Sequence, residues 1–319
     1  MTAVLALDPF HEDGLALLRA RPDIDLTYLP APTEEEIARH MPQTEILLLR
    51  GRTLPVERFR EAERLRLVSR HGVGCDNLDF DLLRARGVTV VVSADANLVS
   101  VAEHAFMLML AACKNAMTGD RAVRGHDWMV RDHLGARDVA GSRVLVVGFG
   151  RIGQAFARRA VAFEAHVTVH DPFLPPDAPM PEGITRTDDL GEGVAGADIV
   201  SIHIPRTDTT ANLFDAALLA RFAEGSILVN TARGGIVDER ALVAALDARR
   251  PALYATDVLA SEPPGRDDPL LERKDVILTP HSAATTRQAM IRMATGSAQN
   301  ALDFLDGHLA SRMIVLDPR

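Results

Sequence analysis

The stretch that most limits what this chain can fold into is Arg143-Val-Leu-Val-Val-Gly148-Phe-Gly150-Arg-Ile-Gly153, where an aliphatic run breaks into three spaced glycines. Val144 to Val147 read as a strand buried on both faces of a parallel sheet. Gly148 suits the tight turn that follows. Gly150 lets backbone approach a pyrophosphate, and Gly153 lets the next helix pack close to the strand. Amides at that helix start, with the positive end of its dipole, suit a diphosphate. The next strand, His166 to His170, ends at Asp171. A carboxylate there can accept from the ribose hydroxyls of a dinucleotide and repels a 2′-phosphate, so the order strand, glycines, helix, acid predicts NAD rather than NADP. The local alternative for Asp171 is a turn residue before Pro172.

With 319 residues, 47% of them hydrophobic, the chain can bury a full core in each of two domains without a metal or a disulfide staple. A formal charge of −9 with scattered arginines offers no basic stripe, which argues against nucleic acid as a partner. Cys75 and Cys113 form no C-x-x-C pair and read as reduced thiols of a cytoplasmic protein. The start, Met1 to Asp8, has no basic region and too short an apolar run for a signal peptide, and reads as a first strand. Leu98 to Ala112 is the most apolar segment, but it falls short of the roughly 20 residues that span a bilayer and carries Glu103 and His104, so it predicts a buried helix and no membrane partner.

Up to about residue 98, apolar runs at 3–7, 46–49, 67–70 and 88–92 alternate with helical patterns at 12–19, 33–40 and 79–86, which suggests a parallel sheet covered by helices. The 67–70 strand runs into His71-Gly-Val-Gly-Cys-Asp-Asn77, either an ordinary strand-to-helix turn or a loop whose amides bind a small anion. Ser100-Val-Ala-Glu103 matches a capping box opening the next helix. That helix is apolar nearly all round, so part of its surface is available to another subunit. A polar surface connection with an isolated Trp128 is expected between Lys114 and Gly141. Strand-like runs at 166–170, 199–203, 226–230, 253–257 and 276–279 join the glycine-loop strand to give six, a complete dinucleotide-binding sheet. Prolines 172, 175, 176, 179 and 181 predict an irregular loop after Asp171. Residues 286–305 read as a long helix too late to serve that sheet. The fold class expected is therefore α/β, with two doubly wound parallel-sheet domains. One spans residues 1–98 and 285–319, and the dinucleotide-binding domain, 99–284, is inserted into it. Two crossings make a hinge, and a cleft between such domains is where cofactor and substrate would meet.

Three polar residues fall just past consecutive late strands. Arg233 can clamp a carboxylate bidentately or form a surface salt bridge. His281 can move a proton near neutrality or be a satisfied core histidine. Glu262 can orient and stabilise the imidazolium or be a turn acid. Their joint placement at the cofactor edge favours chemistry.

Taken together, Arg70-His-Gly-Val-Gly-Cys-Asp-Asn-Leu-Asp79, Val101-Ala-Glu-His104, the Gly148–Gly153 run, His203-Ile-Pro205 with Thr209 and Thr210, Asn230-Thr-Ala-Arg-Gly-Gly-Ile-Val-Asp238, Asp257-Val-Leu-Ala-Ser-Glu262 and Pro280-His281 resemble the D-isomer-specific 2-hydroxyacid dehydrogenases. That family includes D-3-phosphoglycerate dehydrogenase, glyoxylate/hydroxypyruvate reductase and D-lactate dehydrogenase. The resemblance implies a Rossmann NAD-binding domain within a flavodoxin-like substrate domain, and a homodimer built on the cofactor domain. It implies that Arg233 binds the substrate carboxylate and carbonyl, and that His281 and Glu262 form the acid/base pair. It sets Asp257 against the nicotinamide carboxamide and the amides of Val73 and Gly74 against the substrate carboxylate. Gly148, Gly150, Arg151, Ile152, Gly153, Asp171, Pro205 and Thr231 complete the implied cofactor site. The implied reaction moves hydride between NADH and a small 2-keto acid. Rival readings are a redox-sensing regulatory protein like the family's corepressors, and a formate- or phosphite-type dehydrogenase. The first is disfavoured by the intact trio, and the formate type by the lack of a long N-terminal extension. A chain without the C-terminal regulatory domain of many phosphoglycerate dehydrogenases is not expected to show serine feedback. Arg52 and Arg70 could meet a phosphate or second carboxylate, or simply be solvated.

Overall fold

The computed structural model describes residues 1–175 and 177–318. The chain divides into two units, Met1–Asn97 with Thr285–Arg319, and Leu98–Ala284.

The first unit is built on β1 (Thr2–Leu7), β2 (Ile24–Leu29), β3 (Ile46–Leu49), β4 (Leu67–Arg70) and β5 (Thr89–Val92). They pair in parallel in the order β5-β4-β3-β1-β2, the flavodoxin-like arrangement, and an antiparallel edge strand, Ile314–Leu316, closes the β5 side. Every residue of β3, β4 and β5 is buried, as strands covered on both faces require. Neither β2 nor the edge strand is among the sequence expectations. β2 is mostly half-buried at the sheet edge, and the C-terminal strand has three residues, so neither carries a long apolar run. The Arg287–Leu305 helix starts at Thr286, whose hydroxyl accepts the Ala289 amide. It crosses the Glu12–Arg19 helix so closely that a Cβ on Gly14 would lie 2.6 Å from the Ala294 carbonyl oxygen.

The second unit contains β6 (Arg143–Val147), β7 (His166–His170), β8 (Ile184–Arg186), β9 (Ile199–Ile202), β10 (Ile227–Asn230), β11 (Leu253–Thr256) and β12 (Val276–Leu278). All are parallel, in the order β12-β11-β10-β9-β6-β7-β8. This is the Rossmann order extended by one strand. The extra strand relative to the expected six is β8, too short after the proline-rich loop to carry a pattern of its own. Strand order reverses between β6 and β9, and the glycine run leaves β6 at that switch point.

One local expectation fails. The apolar helix spans Leu98–Cys113, so Ser100 lies inside its first turn and no capping box opens there. Glu103 instead reaches the Arg159 guanidinium at 3.3 Å, from the helix that follows the glycine run. The polar segment after Lys114 lies at the surface, as expected. It holds a helix, Ala116–Arg124, followed by a 3₁₀ turn at Trp128–Asp132 that leaves Trp128 exposed. No helix among the described residues is long and apolar enough to cross a membrane.

Candidate functional site

In the second unit, Gly148 takes φ +92°, and a Cβ there would lie 2.7 Å from the His203 carbonyl oxygen. A Cβ on Gly153 would sit 2.0 Å from the Gly148 carbonyl oxygen, whereas one on Gly150 would meet nothing within 4 Å. Gly153 thus lets the loop close on itself, Gly148 lets it meet the backbone after β9, and Gly150 leaves open space where a ligand can approach the backbone. Gly150 also caps the Arg151–Ala162 helix, whose first turn holds Arg151 and half-buried Ile152. Asp171 accepts the Phe149 amide at 2.8 Å through one oxygen and the Phe173 amide at 3.0 Å through the other. Its turn role is therefore real, but the same carboxylate ties the end of β7 to the glycine loop. Each oxygen keeps a further lone pair for a hydroxyl donor. Beyond β10, the Thr231 hydroxyl is buried without a hydrogen-bond partner, an orphan at the strand end where a dinucleotide is expected. Pro205 lies exposed in the loop after β9, its carbonyl accepting the Thr210 hydroxyl at 2.7 Å. A backbone cradle, an acid and an orphan hydroxyl at one sheet edge fit a dinucleotide.

Arg233 sits in the turn after β10. Buried Asn230 shapes that turn, its side chain accepting the Ala232 amide and donating to the Arg233 carbonyl, both at 3.0 Å. The Arg233 guanidinium is half-buried and donates to the Ala232 carbonyl at 2.7 Å. A Cβ on Gly234 would come within 1.8 Å of the Leu259 carbonyl oxygen, so the loops after β10 and β11 touch backbone to backbone. Glu262, in the second of those loops, accepts the Leu259 amide at 3.0 Å through Oε1 and meets His281 Nδ1 at 2.5 Å through Oε2. Because a carboxylate can only accept, Nδ1 carries the proton and His281 Nε2 is left for another partner. About half of the His281 side chain is exposed, so that nitrogen is accessible.

The loop carrying His281 is strained and held. His281 has φ +50°, a left-handed conformation that costs a non-glycine residue of order 1–3 kcal/mol. Its amide donates to the Asp257 carbonyl at 2.9 Å, and the Asp257 carboxylate accepts the Ser282 and Ala283 amides at 2.9 and 2.8 Å and the Thr279 hydroxyl at 2.6 Å. Asp257 is 1% exposed. Burial works against its charged form, but His104, the Thr279 hydroxyl and the two amides outweigh it and hold the carboxyl below its usual range. Nearby, Glu239 accepts the Ala260 amide at 2.8 Å. Burial raises its carboxyl, the amide opposes that, and the charges of Asp268, Glu262 and Asp238 add to the rise.

In the first unit, the loop after β4 carries Val73 and Gly74, both half-buried. Gly72 has φ +126°, which only glycine adopts readily. Arg70, 6% exposed, props this loop by donating to the Gly74 carbonyl at 3.0 Å and the Leu49 carbonyl at 3.1 Å. Arg52 pairs with Asp8 at 3.0 Å, and its carbonyl accepts the Asn77 side-chain amide. Neither arginine is simply solvated.

His281 and Glu262 are thus in direct contact, and Arg233 lies in a loop that touches the Glu262 loop. Sequence reasoning assigned no role to His104, Thr279, Asn230 or Gly234. The Val101-Ala-Glu-His104 motif on a largely apolar helix is the available signal for His104.

Residues 106–283 match the family model for the D-isomer specific 2-hydroxyacid dehydrogenase, NAD binding domain. The chain is 34% identical over 305 residues to D-3-phosphoglycerate dehydrogenase of Archaeoglobus fulgidus, covering 95% of this chain and 57% of that one. It is 39% identical over 303 residues to the Mycobacterium tuberculosis D-3-phosphoglycerate dehydrogenase, covering 94% of this chain and 56% of that one. The chain therefore spans a little over half the length of these relatives. Among solved structures, NAD-dependent formate dehydrogenase from Staphylococcus aureus in complex with NAD superposes with a TM-score of 0.88 at 28% identity, covering 99% of both chains. An NADPH-dependent glyoxylate/hydroxypyruvate reductase from Sinorhizobium meliloti has a TM-score of 0.86 at 25% identity, covering 100% of this chain and 99% of that one. On the family-model match, this chain belongs to the D-isomer specific 2-hydroxyacid dehydrogenase family, whose NAD-binding domain it contains.

Proposed function

We propose that this protein is an NAD-dependent D-2-hydroxyacid dehydrogenase acting on a small 2-keto acid or D-2-hydroxy acid of the glyoxylate, hydroxypyruvate or 3-phosphoglycerate type. The observation that carries this reading is the 2.5 Å His281–Glu262 pair at the carboxyl edge of the glycine-loop sheet. Gly148, Gly150, Arg151, Ile152, Gly153, Asp171, Pro205, Thr231 and Asp257 would hold the cofactor. Bound NADH supplies the hydride that reduces C2 of the keto acid. His281 donates a proton from Nε2 to the carbonyl oxygen, and Glu262 at Nδ1 favours the imidazolium that precedes transfer. Arg233 binds the carboxylate and offsets charge developing on the oxygen. The amides of Val73 and Gly74 bind the carboxylate as well. The Asp171 carboxylate, beside the glycine loop, supports NAD over NADP.

We also infer a homodimer through the cofactor domain and a reducing, cytoplasmic setting. An open apolar groove along the Leu98–Cys113 helix, lined by Phe106, Met107, Leu110 and Ala111, supports the first. Cys75 and Cys113, which are free thiols, support the second.

A spectrophotometric panel of 2-keto acids with NADH and NADPH tests the reading. The expected result is turnover of at least one keto acid, with NADH preferred. Formate and phosphite belong in the panel because a formate dehydrogenase is among the structural neighbours. Activity on those alone would defeat the hydroxyacid assignment. Arg233→Lys keeps charge but loses the planar fork, and kcat/KM is expected to fall about 100-fold.

A further inference from the structure

Asp257 has an interaction that the acid/base pair does not explain. His104, in the second turn of the Leu98–Cys113 helix, points its Nε2 at the Thr279 hydroxyl, 2.9 Å away, and lies 3.4 Å from Asp257 Oδ1. Thr279 in turn lies 2.6 Å from the same carboxylate oxygen. Proton accounting orders this chain. The carboxylate accepts, so the single hydroxyl proton of Thr279 goes to Asp257. The Thr279 oxygen must then accept from the imidazole, which requires His104 to carry its proton on Nε2.

Asp257 is also what holds the left-handed loop. Its carbonyl accepts the His281 amide, and its carboxylate accepts the two amides that follow. Three donors thus hold the buried carboxylate, and the imidazole lies beside the oxygen that takes two of them. Among the described residues, the ion pairs that involve His104 and its helix neighbour are His104 with Asp257, beyond β11, and Glu103 with Arg159 of the neighbouring helix.

We propose that His104 is a positioning residue for catalysis: through Thr279 it fixes the Asp257 carboxylate, and thereby the loop that presents His281 to Glu262. This rests on the dehydrogenase reading. It adds to that reading a residue remote in sequence, on a helix that is otherwise mostly apolar.

Three variants of the full chain test it: His104→Leu, which removes the donor, His104→Gln, which restores an N–H donor, and Thr279→Val, which cuts the relay. kcat is expected to fall about tenfold in His104→Leu and Thr279→Val with KM changed less than threefold, and to recover most of that loss in His104→Gln. The limb of the kcat/KM pH profile that reports the catalytic histidine is expected to move in the first two variants, because a loosened loop alters the His281–Glu262 contact. Unmoved limbs with uniformly reduced activity and a lower Tm would overturn positioning in favour of plain structural support. The relay is also read without turnover. Long-range ¹H–¹⁵N spectra of the histidine rings, with His104 assigned by its loss in His104→Leu, are expected to show the Nε2–H tautomer. An Nδ1–H tautomer overturns the proposal whether or not a substrate is found. Wild-type inactivity on every keto acid, with the Nε2–H tautomer present, sinks the dehydrogenase reading and the catalytic role together while leaving the relay itself standing.

Discussion

The two sheets of this chain have similar doubly wound architecture, and each ends its strands in polar loops, yet their carboxyl edges use polar groups in opposite ways. In the second unit they are left with capacity to spare: His281 keeps Nε2 accessible, the Thr231 hydroxyl has no partner, and Gly150 faces open space. In the first unit they are absorbed as struts. Arg70 props the loop after β4 and Arg52 is paired with Asp8, while His71, whose ring nitrogens have no hydrogen-bond partner, is the exception and is sealed from solvent against the edge of the Phe10 ring. A strand-end position marks a candidate site in both sheets. Only the hydrogen bonds show which side chains still have something to offer.

The largest expected effect probes the open edge. His281→Ala removes the proton donor, and kcat is expected to fall ~10² to 10⁴-fold while the variant keeps the wild-type Tm. A loss below tenfold would place His281 among the struts and erase the contrast.

His71 probes the closed edge through pH. Burial first, then the nearby Arg50 and Arg70 charges, push its pKa down from 6.5 to about 4, against the pull of backbone groups including Met290. Both ring nitrogens lack a hydrogen-bond partner, so the neutral ring is buried at a cost that protonation would raise. The sign follows from proton uptake. Between pH 4 and 6.5 the unfolded chain binds the proton and the folded chain does not, so acid favours unfolding. The contribution is complete above 6.5, and falls away as pH drops toward 4. About 3 kcal/mol is the order of magnitude. Denaturant titrations of wild type and His71→Leu at stepped pH are expected to show that slope in wild type only. Equal slopes would mean that His71 titrates freely and belongs to an open edge.

A smaller effect concerns Asp171, which combines both behaviours by bracing the glycine loop while keeping lone pairs free. Asp171→Ala is expected to reduce the preference for NADH over NADPH about tenfold, worth ~1.4 kcal/mol, as judged from kcat/KM with each cofactor. An unchanged ratio would leave Asp171 a strut alone.

The same contrast explains how much of the protein was legible in its sequence. Buried parallel strands announce themselves as aliphatic runs, so β3, β4, β6 and the long C-terminal helix stood out within a residue or so of their bounds. Short or half-exposed edge elements such as β2, β8 and Ile314–Leu316 do not, because packing against an existing sheet rather than local pattern makes them strands. Ser100-Val-Ala-Glu103 misled because capping boxes are local patterns, while apolar burial of Leu98 onward carried the helix two residues further back. At the site, Arg233, Glu262 and His281 could be chosen because each follows a recognisable strand. The His104–Thr279–Asp257 relay could not, since it joins positions far apart in sequence. The fates of Arg52 and Arg70 were equally hidden, because a sequence shows an arginine but not the carboxylate or carbonyl it folds against.

The smallest expected effect separates strut from contact at Arg52. Its guanidinium lies 3.0 Å from an Asp8 oxygen, with Glu34 at 3.9 Å, and 29% of its side chain is exposed. A part-exposed pair of this kind is worth about 1 kcal/mol or less. Asp8 strengthens the case for a strut, since it sits at φ +72° and its second oxygen is buried without a partner. Removing Arg52 would take away the guanidinium paired with that carboxylate. Arg52→Gln is therefore expected to lower stability by about 1 kcal/mol and to leave KM within twofold for every keto acid accepted. A KM rise confined to substrates with a distal phosphate or carboxylate would show that Arg52 leaves Asp8 when such a group arrives. The closed edge of the first unit would then be closed only until a second anion opens it.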